Sequence, residues 1–408
     1  MNKLKEWIKN NKWFLLLLIF SFILRLIIVL VINTPVISDF KTMLEASREL
    51  LQGETSYKTS PYFLTWAYQM GHVIYQTLLL SIINNITFLK IVNALITTAT
   101  IAVLYKIGEY LTNKKIALIT SFIYSIFLFP LLLNTVLTNQ FLPMLLVLTA
   151  IYLLIKNKRE KLSIFIIIGL LLSISNTLRS EGIVIITGIV FYMLYQIITS
   201  SKKKKKVLAT ILIVLTYFIT NITSSTILQV INISPNGLEN KNPAWKFITG
   251  LNIDTSGMYN EIDATKYAYH PKKANQELEK RIKEDFTSYP VLFLKKIKIL
   301  WINSDLYWTF PTKTTKELLP LNIINSFFIY FFLILSILSL ITIFKKKYKK
   351  EQILIYSILF FYFCAYLLIE VMPRYAYSQQ LFLALLTMIT LNYFMTKKGS
   401  EQRESNRK

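Results

Sequence analysis

Asp39 is the first acidic residue after a long N-terminal apolar run, and it stands in Pro35-Val-Ile-Ser-Asp-Phe40. A carboxylate at the edge of a bilayer can act as a general base, taking the proton from an attacking hydroxyl. The same position also suits a helix N-cap, at Ser38 or Asp39, opening a helix through about Leu51. Two short polar turns between apolar runs carry arginines: Thr177-Leu-Arg-Ser-Glu-Gly182 and Glu370-Val-Met-Pro-Arg374. The planar donor fork of Arg179 or Arg374 fits a phosphate ester at headgroup level. Local pairing of each with Glu181 or Glu370 is the alternative. Between Tyr57 and Gln76 the chain gathers Tyr57, Trp66, Tyr68, Gln69, His72 and Tyr75. Rings and amides of this kind suit either an interfacial belt or a sugar platform, where rings stack on C–H faces and amides bond hydroxyls. Arg25 lies inside the first apolar run, where a charge is costly, so it faces protein or pairs with an acid.

Familiar soluble-enzyme signatures are absent: no phosphate-cradling glycine loop, no Gly-x-Ser-x-Gly and no His-Glu-x-x-His. With two histidines, His72 and His270, and the single Cys364, a zinc site is disfavoured and an intrachain disulfide is impossible. No cofactor is expected, and a divalent cation is left open.

The elements that must position these residues are apolar. The 408 residues are 54% hydrophobic and 17% charged, a composition for which lipid is the natural solvent. The net charge of +24 lies in short lysine clusters between apolar runs. That is the pattern of topology signals rather than of a nucleic-acid interface, so no nucleic-acid partner is expected. Runs near 13–32, 88–107, 116–133, 139–155, 162–177, 183–199, 207–229, 321–344, 353–370 and 377–395 are each long enough to span as helices. The stretch 62–83 is interrupted by polar and aromatic residues and reads as an amphipathic helix on the outer surface. With it excluded, about ten spans place Lys3 to Lys12, Lys114 and Lys115, Lys156 to Lys161, Lys202 to Lys206, Lys345 to Lys350 and the tail from Lys397 all inside. Both termini are then cytoplasmic in a multi-pass protein of the cell membrane.

The expected organisation is therefore an all-α transmembrane bundle. A core over 1–230 carries a first outer loop (33–87) with juxtamembrane helices. An outer loop over 231–320 includes a surface helix near 271–289, with Leu278, Ile282 and Phe286 at helical spacing. C-terminal spans (321–396) and a cytoplasmic tail (397–408) follow. Only the outer side receives polypeptide enough to build a site.

Four segments carry a family resemblance: Leu24-Arg25-Leu26 followed by Ser38-Asp39; Ala46, Leu50, Gly53 and Tyr57; Pro61-Tyr-Phe-Leu-Thr-Trp-Ala-Tyr-Gln-Met-Gly71; and Thr249-Gly-Leu-Asn-Ile-Asp-Thr-Ser-Gly-Met-Tyr-Asn260. With Glu370 to Tyr375 before the last span, they resemble the polytopic GT-C glycosyltransferases. The branch they suggest holds protein O-mannosyltransferases and aminoarabinose transferases, in its Gram-positive form. Ala67-Tyr68 stands where that branch usually has Tyr-Pro, and Asp39 lacks the adjacent second acid of some relatives. The resemblance implies inverting transfer of a sugar from a polyprenyl-phosphate donor to an acceptor hydroxyl of a cell-envelope glycan, lipid or protein on the outer face. It implies Asp39 as catalytic base and Arg179 and Arg374 on the donor phosphate. Tyr57, Gln69, His72 and Asn252 would lie near sugar or acceptor, with Arg25, Glu181 and Glu370 in support. The competing class is a transporter or lipid flippase, hinted at only by Arg25 and Pro143 within apolar runs.

Overall fold

The computed structural model describes residues 6, 9–284, 286–302 and 306–405, with side chains to 396. Lys3 and Lys5, read as topology signals, and 406–408 of the tail lie outside the described residues. Among the described residues the regular structure is helical, apart from one isolated β-bridge between Trp66 and Asn240.

The first helix, α1 (Lys12–Val31), is apolar nearly all round and packs on α5 (Ile86–Leu111) and α6 (Lys114–Ser125). Between α1 and α5 lie α2 (Ser38–Gln52), α3 (Pro61–Thr65) and α4 (Met70–Leu80). Helix α2 buries Phe40, Met43, Leu44, Ala46 and Ser47, the stripe expected of a helix with one wet face, against α4. Neither Ser38 nor Asp39 caps it. The N-cap is Ile37, with no side-chain cap bond, and Ser38 is already in the helix. The stretch 62–83 is likewise not one surface helix. Trp66 leaves helical geometry at φ −117°, ψ 56° to make its bridge to Asn240, and the run splits into α3, a 3-10 turn (Ala67–Gln69) and α4. Gly71 in α4 lets that helix touch the end of a later span: a Cβ there would sit 1.8 Å from the Thr177 carbonyl oxygen.

The apolar run 116–133 is not a straight span. It forms α6 and then α7 (Leu128–Leu132), bent by 60°. Phe127 leaves helical geometry at the break, at φ −60°, ψ 118°, and Pro130 sits in the first turn of α7, where its missing N–H costs nothing. Arg25 holds the break from α1. Fully buried, it donates from Nη1 to the Ser21 hydroxyl at 2.7 Å and to the Ser125 carbonyl at 3.3 Å, at the end of α6. It faces protein, as expected, and pairs with no acid among the described residues.

Helices α8 (Phe141–Lys156), α9 (Leu162–Leu178), α10 (Gly182–Thr199) and α11 (Lys203–Val230) then run back and forth, α9 lying on both α8 and α11. Helix α11 buries only Ala209, Ile213, Tyr217 and Leu228, so most of its apolar surface faces outward. The loop region holds α12 (Ala244–Gly250), α13 (Glu261–Tyr267), α14 (Pro271–Glu284) and α15 (Tyr289–Trp301). The surface helix read at 271–289 ends earlier, at Glu284. Ala274 is its buried residue and Leu278 packs beside it, whereas Ile282 and Phe286 are exposed. The chain closes with α16 (Leu319–Leu338), α17 (Leu340–Phe344), α18 (Gln352–Leu368), packed on α10, and α19 (Ala376–Ser405), packed on α16.

By length and composition, five helical segments among the described residues can cross a membrane, or six if α6 and α7 form one broken span. The sequence suggested about ten. Helices α8, α9 and α18 are apolar but have 16 or 17 residues. At ~1.5 Å per residue they fall short of a ~30 Å hydrocarbon core, so helix length alone does not establish ten crossings. The lysine clusters nonetheless meet at one end of the bundle: Lys156, Lys158 and Lys349 surround Tyr110, and Lys206 reaches Glu160 at 3.0 Å. The chain is a multi-pass membrane protein.

Candidate functional site

The ends of these helices away from the lysine clusters enclose a cavity of about 830 Å³. Asp39, Gln69, Arg179, Glu181, Glu370 and Arg374 all line it, brought from four separate segments of sequence.

Asp39 owes its place to a strained entry into α2. Ser38, just before it, has φ +54°, left-handed backbone that costs a non-glycine residue ~1–3 kcal/mol and is held only where the surroundings impose it. The surroundings here are the buried Phe40 and Met43 on one side, and Thr34 on the other. Thr34 donates to Thr309 O at 3.0 Å and lies 2.6 Å from the Thr135 hydroxyl. Among the described residues the Asp39 carboxylate makes no hydrogen bond or ion pair, so it faces the cavity uncommitted.

Arg374 sits in a 3-10 turn (Pro373–Tyr375) and is 6% exposed. Its guanidinium carbon lies 3.8 Å from the Trp308 ring centroid and 4.9 Å from that of Phe40, the neighbour of Asp39. Among the described residues Nε and Nη1 find no acceptor. Glu370 is not its partner, contrary to the local-pairing alternative. That carboxylate accepts from Lys246 Nζ at 2.6 Å and from the Tyr375 hydroxyl at 2.9 Å. Burial pushes Glu370 up, but the Lys246 ammonium and the two hydrogen bonds bring it below the usual carboxylate value. A buried guanidinium with two idle donors is a site prepared for an oxyanion.

Arg179, by contrast, does pair locally. Its Nε reaches Glu181 Oε1 at 2.5 Å and its Nη1 reaches Asn139 Oδ1 at 2.7 Å, and Asn139 in turn donates to Gln69 at 3.3 Å. Glu181 also accepts from Tyr362, Ser378 and Tyr366 at 2.9, 3.1 and 3.2 Å. Glu181 therefore ties α18 and α19 to the turn, and Arg179 reaches the cavity already half satisfied.

Behind Arg374, Lys296 on α15 fixes the turn. Its buried ammonium donates to the carbonyls of Gly250, Leu367 and Ile369 at 2.7, 2.7 and 2.8 Å. Burial lowers Lys296 to about 7. Three carbonyl acceptors nevertheless need three N–H donors, which only the protonated form supplies. Gly250 packs on the same strand of backbone, with room for no side chain: a Cβ would lie 2.2 Å from Ile369 C.

Three residues read as sugar or acceptor contacts do not line the cavity. Tyr57 is buried and donates to Ile233 O at 3.1 Å. Asn252 bonds Asp263 at 2.8 Å and caps the Thr255 N–H, as a loop-forming residue. His72 lies behind the wall, beside a separate void of about 10 Å³ with Tyr75 and Asn139. Burial, and then the Arg179 charge, lower it to about 3 and keep it neutral. Sequence reasoning missed Lys246, Tyr375, and the amides Asn139 and Gln140. The amides were legible as Asn139-Gln140 at the head of an apolar run, three residues before Pro143. Lys246 was not, since its partner is 124 residues away. Among the described residues, no three His, Cys, Asp or Glu side chains cluster as metal ligands would.

The sequence profile of the family described as dolichyl-phosphate-mannose-protein mannosyltransferase matches residues 60–223. No curated protein matches the chain significantly. Solved structures of an oligosaccharyltransferase from Archaeoglobus fulgidus superpose with a TM-score of 0.57. One is the archaeal enzyme AglB in complex with an inhibitory peptide and a dolichol-phosphate, 12% identical, covering 98% of this chain and 52% of that one. Another, tethered to an acceptor peptide containing the NVT sequon, is 11% identical and covers 96% and 50%, and the apo form is 11% identical and covers 98% and 52%. At such identity the likeness is one of fold, and the chain spans about half the length of these structures.

Proposed function

We propose, from the premise that this chain is a multi-pass membrane protein with the GT-C glycosyltransferase fold, that it moves a sugar from a polyprenyl-phosphate donor to an acceptor hydroxyl at the outer membrane face, with inversion. The observation that carries the reading is the pairing, in one cavity, of a carboxylate on Asp39 with a buried guanidinium on Arg374, where among the described residues the carboxylate is uncommitted and Nε and Nη1 lack acceptors.

In this reading Asp39 takes the proton of the acceptor hydroxyl as its oxygen bonds to the anomeric carbon. On the opposite side of that carbon the bond to the phosphate oxygen breaks, and its electrons stay on the departing lipid phosphate. Arg374 meets that charge, while Lys246 on the same wall is already paired with Glu370. Arg179 serves the same end more weakly because Glu181 already holds its Nε. The cavity also has an apolar flank at Ile183, Ile222 and Leu368, which are 55%, 66% and 45% exposed. This flank gives a polyprenyl chain a way to the bilayer between α11 and α18.

Arg374→Ala is expected to weaken binding of a polyprenyl phosphate by ~1–3 kcal/mol, the scale of lost charge-assisted hydrogen bonds. Arg374→Lys should recover only part, lacking the fork and the flat face against Trp308. Titration in detergent reads this directly. Parental affinity in the alanine variant would move the phosphate away from Arg374. For the sidedness, a Cys364→Ser background with Ser60→Cys or Asn240→Cys is expected to label with an impermeant thiol reagent on whole cells. Asn157→Cys and Ser201→Cys should stay dark until the membrane is opened. Outside labelling at Asn157 would invert the assignment.

A further inference from the structure

Far from the cavity, three lysines from two connecting segments converge on one ring. Lys156 ends α8, Lys158 follows it, and Lys349 lies between α17 and α18. Their ammonium nitrogens stand 5.6, 5.3 and 5.7 Å from the centroid of Tyr110, in the last turn of α5. We infer that Lys156, Lys158 and Lys349 form, around Tyr110, a headgroup site for an anionic phospholipid on the face opposite the cavity.

The convergence is built rather than incidental. Lys349 donates to the Tyr110 carbonyl at 2.7 Å, and the Tyr110 hydroxyl donates to Glu351 at 2.9 Å, so both ring and lysine are pinned. Lys156 also lies 5.8 Å from the Tyr152 ring. The charge is not balanced. Glu351 is the carboxylate at the ring, whereas Glu109 is taken by Lys106 at 2.9 Å and Lys114 at 4.0 Å, and Glu160 by Lys206 at 3.0 Å. Contacts of an ammonium with a ring face are weak and do not neutralise its charge. Three crowded ammoniums with one carboxylate therefore leave a positive field, in which Lys156 and Lys158 donate to no acceptor among the described residues. Lys349 itself is lowered, by burial first, with Lys158 adding to the effect against Glu351.

A lipid fits this field better than a soluble anion because of where it lies. Leu111 closes the span Ile86–Leu111 one residue beyond Tyr110, so the ring marks the polar edge of the bilayer. The helices that end near these lysine clusters also carry exposed apolar residues, Phe344 and Ile198, 83% and 75% exposed. Basic pockets between helices at this level attract anionic headgroups at ~1 kcal/mol per lysine.

The test is native mass spectrometry of the purified full chain, delipidated and then given phosphatidylglycerol or phosphatidylcholine. The parent is expected to retain phosphatidylglycerol in preference. The triple variant Lys156→Gln, Lys158→Gln, Lys349→Gln should lose that affinity on the order of a hundredfold. Removing the same charge from the same face by Lys203→Gln, Lys204→Gln, Lys205→Gln should leave it nearly intact, and the triple arginine variant at 156, 158 and 349 should keep it, guarding against misfolding. Equal loss in both glutamine triples, or undiminished retention in the first, overturns the site. So does displacement of the lipid by millimolar inorganic phosphate, which would mark a soluble-anion site instead.

Discussion

Asp39→Asn is expected to fold and to bind a polyprenyl-phosphate sugar like the parent, yet to transfer the sugar 10²- to 10⁴-fold more slowly, the usual contribution of a general base. The prediction is sharper than a capping residue would allow. The N-cap of α2 is Ile37, and no side-chain bond is made there, so removing the carboxylate takes no hydrogen bond from the helix. Asp39 does lie in the first turn of α2, where a negative charge favours the helix dipole by ~0.3–1 kcal/mol, and a small drop in melting temperature is compatible with this account. Asp39→Ala should therefore resemble Asn in both turnover and stability. Near-parental transfer by the Asn variant would remove Asp39 from the chemistry and send the search for a base to Asp254 in the loop 231–320, since Asp263 is bound to Arg281 at 2.8 Å.

Glu181→Ala is expected to have the largest effect on stability, ~2–3 kcal/mol, because it strips the part-buried Arg179 of its carboxylate and several hydroxyls of a charged acceptor. Arg179 would be left without its carboxylate, and the hydroxyls of Tyr362, Tyr366 and Ser378 would lose their common acceptor. Three separated segments, the 179–182 turn, α18 and the start of α19, meet at that one side chain. The double variant Arg179→Ala, Glu181→Ala should be less destabilised than the sum of the two single ones, since the unpaired charge is gone. Thermal unfolding in detergent, run on all three variants, gives the cycle. Additive losses would show that the pair is not coupled.

The all-helical architecture, and the gathering of Asp39, Arg179 and Arg374 at one end of the bundle, were legible because apolar run length and the few charges in the turns between runs are one-dimensional signals. Gln69, Glu181 and Glu370 also reach the cavity. What failed did so for tertiary reasons. The single helix read at 62–83 breaks where Trp66 pairs with Asn240, a partner from the distant loop. The straight span at 116–133 bends at Phe127, where Arg25 from α1 takes the freed Ser125 carbonyl. Tyr57, His72 and Asn252 look like sugar contacts by type, but each is turned into the protein, His72 beneath the Arg179 wall and Asn252 onto Asp263. Lys246 was invisible because nothing in its own neighbourhood announces Glu370.

The central claim is that this protein breaks a lipid-phosphate-sugar bond rather than carrying the intact lipid across the membrane. The direct measurement reconstitutes the purified chain in liposomes with a panel of polyprenyl-phosphate sugars and a hydroxyl acceptor. Released polyprenyl phosphate and the anomeric configuration of the product are then followed. Stoichiometric release of lipid phosphate with a product of inverted configuration, lost in Asp39→Asn, is the predicted result. Movement of uncleaved lipid-linked sugar between leaflets, with no lipid phosphate released from any donor, would contradict it.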